Sequence, residues 1–113
     1  MKIQIRARRF KLTQAQRAHA EMQLGLALGR FGDRIGGVVG KLWEEMDHGT
    51  SQGKRCRIEV ALPPRKVCVE EADSDILIAI NRAAARVSRS VAHALERERR
   101  LVEMQPQPQK WPS

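Results

Sequence analysis

Aromatic residues are scarce in this chain of 113 residues, which contains no tyrosine, and they make up 4% of it. Proteins that bind single-stranded nucleic acid stack successive bases on aromatic side chains set among basic ones. Here none of the four aromatic residues is interleaved with the basic segment of the C-terminal half; they are Phe10, Phe31, Trp43 and Trp111. The sequence therefore predicts that any bound nucleic acid is recognised through shape and phosphates rather than through stacked bases.

Long apolar runs are also absent, and no segment approaches the roughly 20 apolar residues that span a bilayer. The first ten residues, MKIQIRARRF, alternate apolar and charged side chains and lack the continuous apolar stretch of a secretory signal. We therefore expect a cytoplasmic protein that has no membrane-spanning segment. A length of 113 residues is enough for one compact domain with a single core.

The two cysteines, Cys56 and Cys68, match neither a metal-ligand spacing nor a CxxC redox motif. Cys56 belongs to the core-facing set of a predicted strand, whereas Cys68 falls on the opposite face of the next one. A disulfide between them is therefore not expected.

Signatures of catalysis are missing as well. The three histidines, His19, His48 and His93, lie far apart on different predicted elements, and no HExxH, paired carboxylates or glycine-rich phosphate loop accompanies them. The neighbouring Asp47 and His48 are interpreted as part of a turn. The sequence predicts a protein without catalytic residues, metal, cofactor or small-molecule substrate.

Positive charge is abundant and unevenly placed. The chain has 21 Lys and Arg against 13 Asp and Glu, a net charge of +8. Residues 1–13 carry no acid, whereas residues 36–72 sum to zero; the basic residues of the first segment are Lys2, Arg6, Arg8, Arg9 and Lys11. This balance favours a polyanionic partner, either nucleic acid or an anionic membrane surface.

Hydrophobic periodicity predicts the elements in the order β-α-β-β-β-α. The strands are expected around Ile3 and Ile5, then at 38–46, 55–62 and 66–72, with a turn at Pro63-Pro64. The first helix is predicted over 14–30 after an N-cap at Thr13, and the second extends to about Arg100 after a cap at Asp73, Ser74 or Asp75. We expect one α+β domain over residues 1–103, with both helices packed on one face of the sheet.

After that domain, residues 104–113 are rich in proline and glutamine and lack periodicity, so we expect a disordered tail. Trp111 within it could serve as a docking residue or have no role.

The second predicted helix carries a basic stripe opposite its apolar one. At 100° per residue, its basic residues fall on one side, whereas Ile80, Val87 and Val91 fall on the other. One interpretation is a ridge that follows a phosphate backbone, and the other is an ordinary solvated helix face. Basic residues three or four positions apart on a helix repel one another, and no acid reduces this repulsion before Glu96. This unfavourable spacing favours the interpretation as a ridge that follows a phosphate backbone. The stripe comprises Arg82, Arg86, Arg89, His93, Arg97 and Arg100.

The N-terminal cluster offers an extension of the same surface. Arg6 and Arg8 share the non-core side of the first strand, and Arg9 follows them. Together with the stripe up to Arg97, these three complete the predicted RNA-binding set.

Several segments resemble the ribosome hibernation promoting factor and ribosome-associated inhibitor family, also described as sigma-factor modulation proteins. The resemblance covers about residues 1–100; it is carried by Ile3 and Ile5, FKLTQAQRAHAE (10–21), RFGDRI (30–35) and SDILIAINRA (74–83). It implies a β-α-β-β-β-α domain that sits on the small ribosomal subunit, in the channel for messenger and transfer RNA. The family's rRNA contacts come largely from its two helices, and the matching positions on the long helix are Arg86, Arg89 and His93.

Three departures from the family qualify what the resemblance implies. Leu77 stands where the family usually has tyrosine, and its usual first-helix lysines are replaced around Gln23, Gly25 and Leu26. The dimerisation domain of the family's long form is absent, so the chain resembles a short form and is expected to be monomeric off the ribosome. Both promotion of and opposition to ribosome dimerisation stay open. The alternative is a divergent paralogue that kept the fold but binds another protein or RNA.

Overall fold

A computed structural model describes residues 1–47 and 49–104, without the side chains of residues 47 and 50–52. His48 and the expected tail from residue 105 onward lie outside the described residues. Met104 itself is helical, so the helix ends later than the sequence predicted.

The predicted order of elements is confirmed. The elements are β1 (Ile3–Arg8), α1 (Gln14–Leu28), β2 (Gly37–Asp47), β3 (Thr50–Leu62), β4 (Arg65–Asp73) and α2 (Ile76–Met104). The sequence missed a 3-10 helix at Gly29–Arg34, which contains Gly32 at a φ of 53°. The α-helix gives way to this 3-10 helix at Gly29, so it ends two residues earlier than expected, and the positive φ inside the 3-10 helix is one that favours glycine.

The four strands form one sheet in the order β1-β2-β3-β4. β1 pairs with β2 in parallel, and the other two pairs are antiparallel. In one row across the sheet, Ile5 is next to Gly40, then Ile58, then Val69. These side chains all point to the same face, which α1 and α2 cover, as predicted. We call the uncovered side of the sheet the open face.

A single hydrophobic core lies between the sheet and the helices. Leu24 and Leu28 of α1 and Ile58 of β3 are at most 1% exposed. Gly40 leaves space in this layer, because a Cβ there would lie 3.0 Å from Ile5 Cδ1 and 3.8 Å from Leu24 Cδ1. The missing side chain lets α1 pack closely over the parallel strand pair.

The first helix begins at the predicted N-cap, Thr13, which also forms a capping box with Gln16. The Thr13 side chain accepts a hydrogen bond from the Gln16 amide at 3.1 Å, and the Gln16 side chain accepts one from the Thr13 amide at 3.0 Å. One turn later, the Arg17 guanidinium donates to the Ile5 carbonyl at 2.7 Å. This contact holds the start of α1 against β1.

The cysteines differ in their accessibility to thiol reagents, and neither forms a disulfide. Cys56 is 2% exposed, whereas Cys68 is exposed on the open face. Burial, with a smaller contribution from the charge of Glu71, raises the pKa of the Cys56 thiol to about 12, so almost no reactive thiolate forms near neutral pH. We expect a maleimide to modify Cys68 alone in the folded protein. Mass spectrometry of the labelled peptides, with and without denaturant, checks this; labelling of Cys56 in the native protein would contradict it.

Candidate nucleic-acid interface

The predicted basic stripe lies on helix α2, whose opposite side is packed firmly against the rest of the domain. Asp75 is its N-cap, since its carboxylate accepts from the Leu77 amide at 2.9 Å and its carbonyl from the Ala79 amide at 3.1 Å. The opposite side of the helix is buried in the core; its buried residues are Ile76, Ala79, Ile80, Ala83, Ala84, Val87, Val91 and Ala94. Packing along this line fixes the direction in which the stripe faces.

We call the stripe up to Arg97 the α2 ridge, leaving out Arg100, which pairs with Glu96 at 3.5 Å, and each of the five remaining members is exposed. From first to last it covers about 22 Å at 1.5 Å per residue. The members are Arg82, Arg86, Arg89, His93 and Arg97.

Two ridge arginines have acidic partners, contrary to the expectation that no acid relieves the stripe before Glu96. Arg82 lies 3.3 Å from Asp73, and Arg86 lies 3.4 Å from Glu71 and donates to the Glu70 carbonyl at 3.2 Å. The sequence could not show this, because the acids come from the neighbouring strand β4. Both arginine side chains are still more than half exposed, so these ion pairs are weak and leave them available to a partner.

The rest of the ridge is not neutralised. The side chains of Arg89, His93 and Arg97 form no ion pair or hydrogen bond with any residue that the structure describes. The ridge residues whose side chains lack an acidic partner in the described structure therefore lie in its C-terminal half.

Arg6 and Arg8 do not extend the α2 ridge, and that expectation is wrong. They alternate with the core-facing Ile5 and therefore project from the open face, on the side of the sheet away from both helices. Arg9 is exposed directly after β1, at a φ of 65°. The protein thus has two basic surfaces, separated by the thickness of the sheet and the helix layer.

The sequence missed the second of these surfaces. In register, Arg6 lies beside Lys41 and Lys41 beside Arg57, while Arg8 lies beside Trp43. These five side chains line a depression of about 430 Å³ together with Leu42. The basic residues of this surface come from three strands that are far apart in sequence, and only the strand register brings them together.

The exposed side of α1 is apolar where the resemblance would place lysines. Met22 is 52% and Leu26 is 73% exposed. Nearby polar groups hold the helices to each other instead, since His19 lies 2.7 Å from Asn81 and Arg34 lies 2.8 Å from Glu98. The ridge on α2 therefore has no basic counterpart on the first helix.

No cluster of three or more metal-ligating side chains occurs within residues 1–47 and 49–104. In the same part of the chain, no helix is both long and apolar enough to cross a bilayer.

Comparisons with known proteins give a family. The description of the matching family is sigma 54 modulation protein / S30EA ribosomal protein, and the match covers residues 3–99. A search of curated proteins found no match. Among solved structures, the chain is similar to the N-terminal domain of Protein Y from Thermus thermophilus, at 30% identity and a TM-score of 0.62, with 80% of this chain and 96% of that chain covered.

The fold is shared more widely than the sequence. A ribosomal subunit interface protein from Coxiella burnetii is 15% identical, with a TM-score of 0.70 and coverage of 85% of this chain and 99% of that chain. The family match spans both helices and all four strands, including the residues of the α2 ridge. The chain therefore belongs to the sigma 54 modulation protein / S30EA ribosomal protein family, a family of ribosome-associated factors.

Proposed function

We propose that this protein binds small-subunit rRNA at the channel for messenger and transfer RNA, and that it thereby inhibits translation and promotes ribosome hibernation under stress or in stationary phase. In this proposal it acts in the cytoplasm, off the ribosome it is a monomer, and it has no enzymatic activity. The observation that carries the proposal is the exposed and largely unneutralised α2 ridge in a member of a ribosome-associated family.

The chemistry of the ridge suits a folded RNA. Arginine guanidinium groups donate several hydrogen bonds to phosphate oxygens and stay charged at any physiological pH. A straight helix face about 22 Å long can follow a phosphate backbone without reading bases. Co-sedimentation of the protein with small subunits from starved cells tests the proposal directly.

A second candidate function rests on α1. Its exposed Leu26 stands where the resemblance would place a lysine, and Met22 one turn earlier is exposed as well; such apolar residues favour a protein partner over RNA. In this alternative the chain is a divergent paralogue that acts away from the ribosome. Absence of the protein from the small-subunit fraction would favour it.

Binding to small subunits should depend strongly on salt. The ridge offers four permanent cations, and release of about 0.7 to 0.9 counterions per neutralised phosphate gives a slope of roughly −3 to −4 for log K against log salt concentration. Titration of labelled protein with subunits at several potassium chloride concentrations measures this slope. A slope near zero would show that the basic surface does not contact the rRNA.

A further inference from the structure

We propose that the open face of the sheet is a second RNA-binding surface, which takes single-stranded RNA with phosphates on Arg6, Arg8, Lys41 and Arg57 and a base against Trp43. This inference goes beyond the proposed function, because it concerns the side of the protein away from the α2 ridge. It does not require subunit binding to be correct.

The first argument is the placement of charge. Among the side chains of β1 to β4 that the structure describes, the basic ones on the open face outnumber the acids; the basic residues are Arg6, Arg8, Lys41, Arg55, Arg57 and Lys66, and the acids are Glu45, Glu59 and Glu70. Neighbouring strands are about 4.8 Å apart, so the row of Arg6, Lys41 and Arg57 forms a closely spaced cationic path across the sheet. A polyanion complements such a path.

The second argument is that part of this charge is free. The Arg8 side chain forms no ion pair or hydrogen bond with the described part of the chain, and the Arg6 guanidinium donates only to the neutral Gln4 side chain at 3.4 Å. Arg57 and Lys41 share a single acid, Glu59, at 3.2 and 3.4 Å. One carboxylate cannot neutralise both, so the surface keeps a surplus of positive charge.

Glu59 is itself firmly ionised. Its partial burial acts to raise the pKa of the carboxyl, but the hydrogen bond from Arg57 and the charges of Lys41 and Lys66 outweigh this effect and hold it below its usual value. The carboxyl group therefore stays ionised near neutral pH, and its negative charge opposes the binding of an anion to this part of the surface.

The third argument is the shape of the surface and the position of its aromatic residue. Trp43 is half-buried and lines the depression of about 430 Å³, within the range of about 300 to 1,000 Å³ typical of ligand pockets. Its indole Nε1 donates to Glu45 at 3.0 Å, which fixes the ring orientation. A second depression of about 320 Å³ continues along the same face and is lined by Lys2, Arg65 and Lys66 among others.

An indole flanked by guanidinium groups on a flat sheet matches the chemistry of an unpaired nucleotide. The ring can stack on a base, and the cations can bind the phosphates on either side. Bases in a duplex are already stacked within it and cannot lie on the ring. The combination therefore favours single-stranded RNA over duplex RNA and over an acidic peptide, which has no base to stack.

The test measures binding of a fluorescein-labelled single-stranded oligouridylate to the full chain by anisotropy at low salt. We expect Arg6→Glu with Arg8→Glu to raise Kd at least tenfold. Trp43→Ala should raise it roughly 5- to 150-fold, the range for loss of one stacking contact, with Trp43→Phe recovering most of the affinity. Glu59→Gln should lower Kd severalfold, because it releases Arg57 and Lys41.

The matched control is Arg89→Glu with Arg97→Glu, which changes net charge equally but lies on the α2 ridge. It should reduce oligouridylate binding less than the sheet-face variant does. Equal losses in the two variants, no binding by the wild type, or equal binding of duplex RNA or polyglutamate would each overturn the inference. Circular-dichroism melts identify variants that fail to fold. If one of the more disruptive variants does not fold, the conservative changes Trp43→Phe and Glu59→Gln still test the inference. Sedimentation with small subunits is measured separately, so failure here leaves the proposed function untouched.

Discussion

Reversal of Arg89 and Arg97 to glutamate should reduce association with small ribosomal subunits by at least about a hundredfold. Neither side chain is held by an acid of the described structure. Charge-assisted hydrogen bonds contribute about 1.5 to 3 kcal/mol each, and two carboxylates in their place would repel rRNA phosphates. Co-sedimentation with purified small subunits at fixed low salt measures the loss.

Folding should be nearly unaffected by the same double substitution. Both residues are exposed on the side of α2 away from Val87 and Val91, and exposed substitutions usually change stability by less than about 0.5 kcal/mol. The control is Arg6→Glu with Arg8→Glu, which alters net charge by the same amount on the open face. If both variants lose subunit binding equally, net charge matters and the ridge position does not, and the ridge assignment fails.

Truncation of Leu24 to alanine is expected to lower the free energy of unfolding by about 2 to 5 kcal/mol. Leu24 is 1% exposed and fills the space that Gly40 leaves between α1 and the sheet. Removal of its branched end leaves a cavity that Gly40, which has no side chain, cannot fill. Chemical denaturation followed by far-UV circular dichroism measures the difference.

The matched control for this substitution is Leu26→Ala, the same change on the same helix. Leu26 is 73% exposed, so we expect a change within about 0.5 kcal/mol. A large loss at Leu26 would mean that the outer side of α1 packs against something in solution, which would favour a protein partner. A small loss at Leu24 would show that the core is arranged differently from the structure.

The periodicity of the sequence was sufficient to predict the fold. Alternation along the strands and the apolar line of α2 each refer to a single element, and local spacing determines which face is buried. The Thr13 cap is equally local and was confirmed. The 3-10 helix at Gly29–Arg34 was missed because it is a short segment kinked at Gly32, and hydrophobic periodicity does not reveal so short an element.

The candidate interface was predictable only where it lies on one element. The α2 ridge follows from helix geometry alone, whereas the pairing of Arg86 with Glu71 depends on how α2 lies over β4. The basic open face depends on register across three strands, with Arg6, Lys41 and Arg57 far apart in sequence. The charges of residues 36–72 do sum to zero, but this sum does not show how the charges are divided between the two faces of the sheet.

Because α2 is long, the two ends of the ridge are not held equally firmly by the rest of the domain. The last buried residue of α2 in the described structure is Ala94; beyond it the half-buried Leu95 packs against the core and Glu98 pairs with Arg34 at 2.8 Å. A terminal helical segment with few tertiary contacts is only marginally stable, so we expect the end of α2 to fray in the absence of a partner. Arg89 lies on the packed part of the helix and would set the angle of approach, whereas Arg97 lies near the end that could adjust to a curved phosphate backbone at the cost of some ordering entropy.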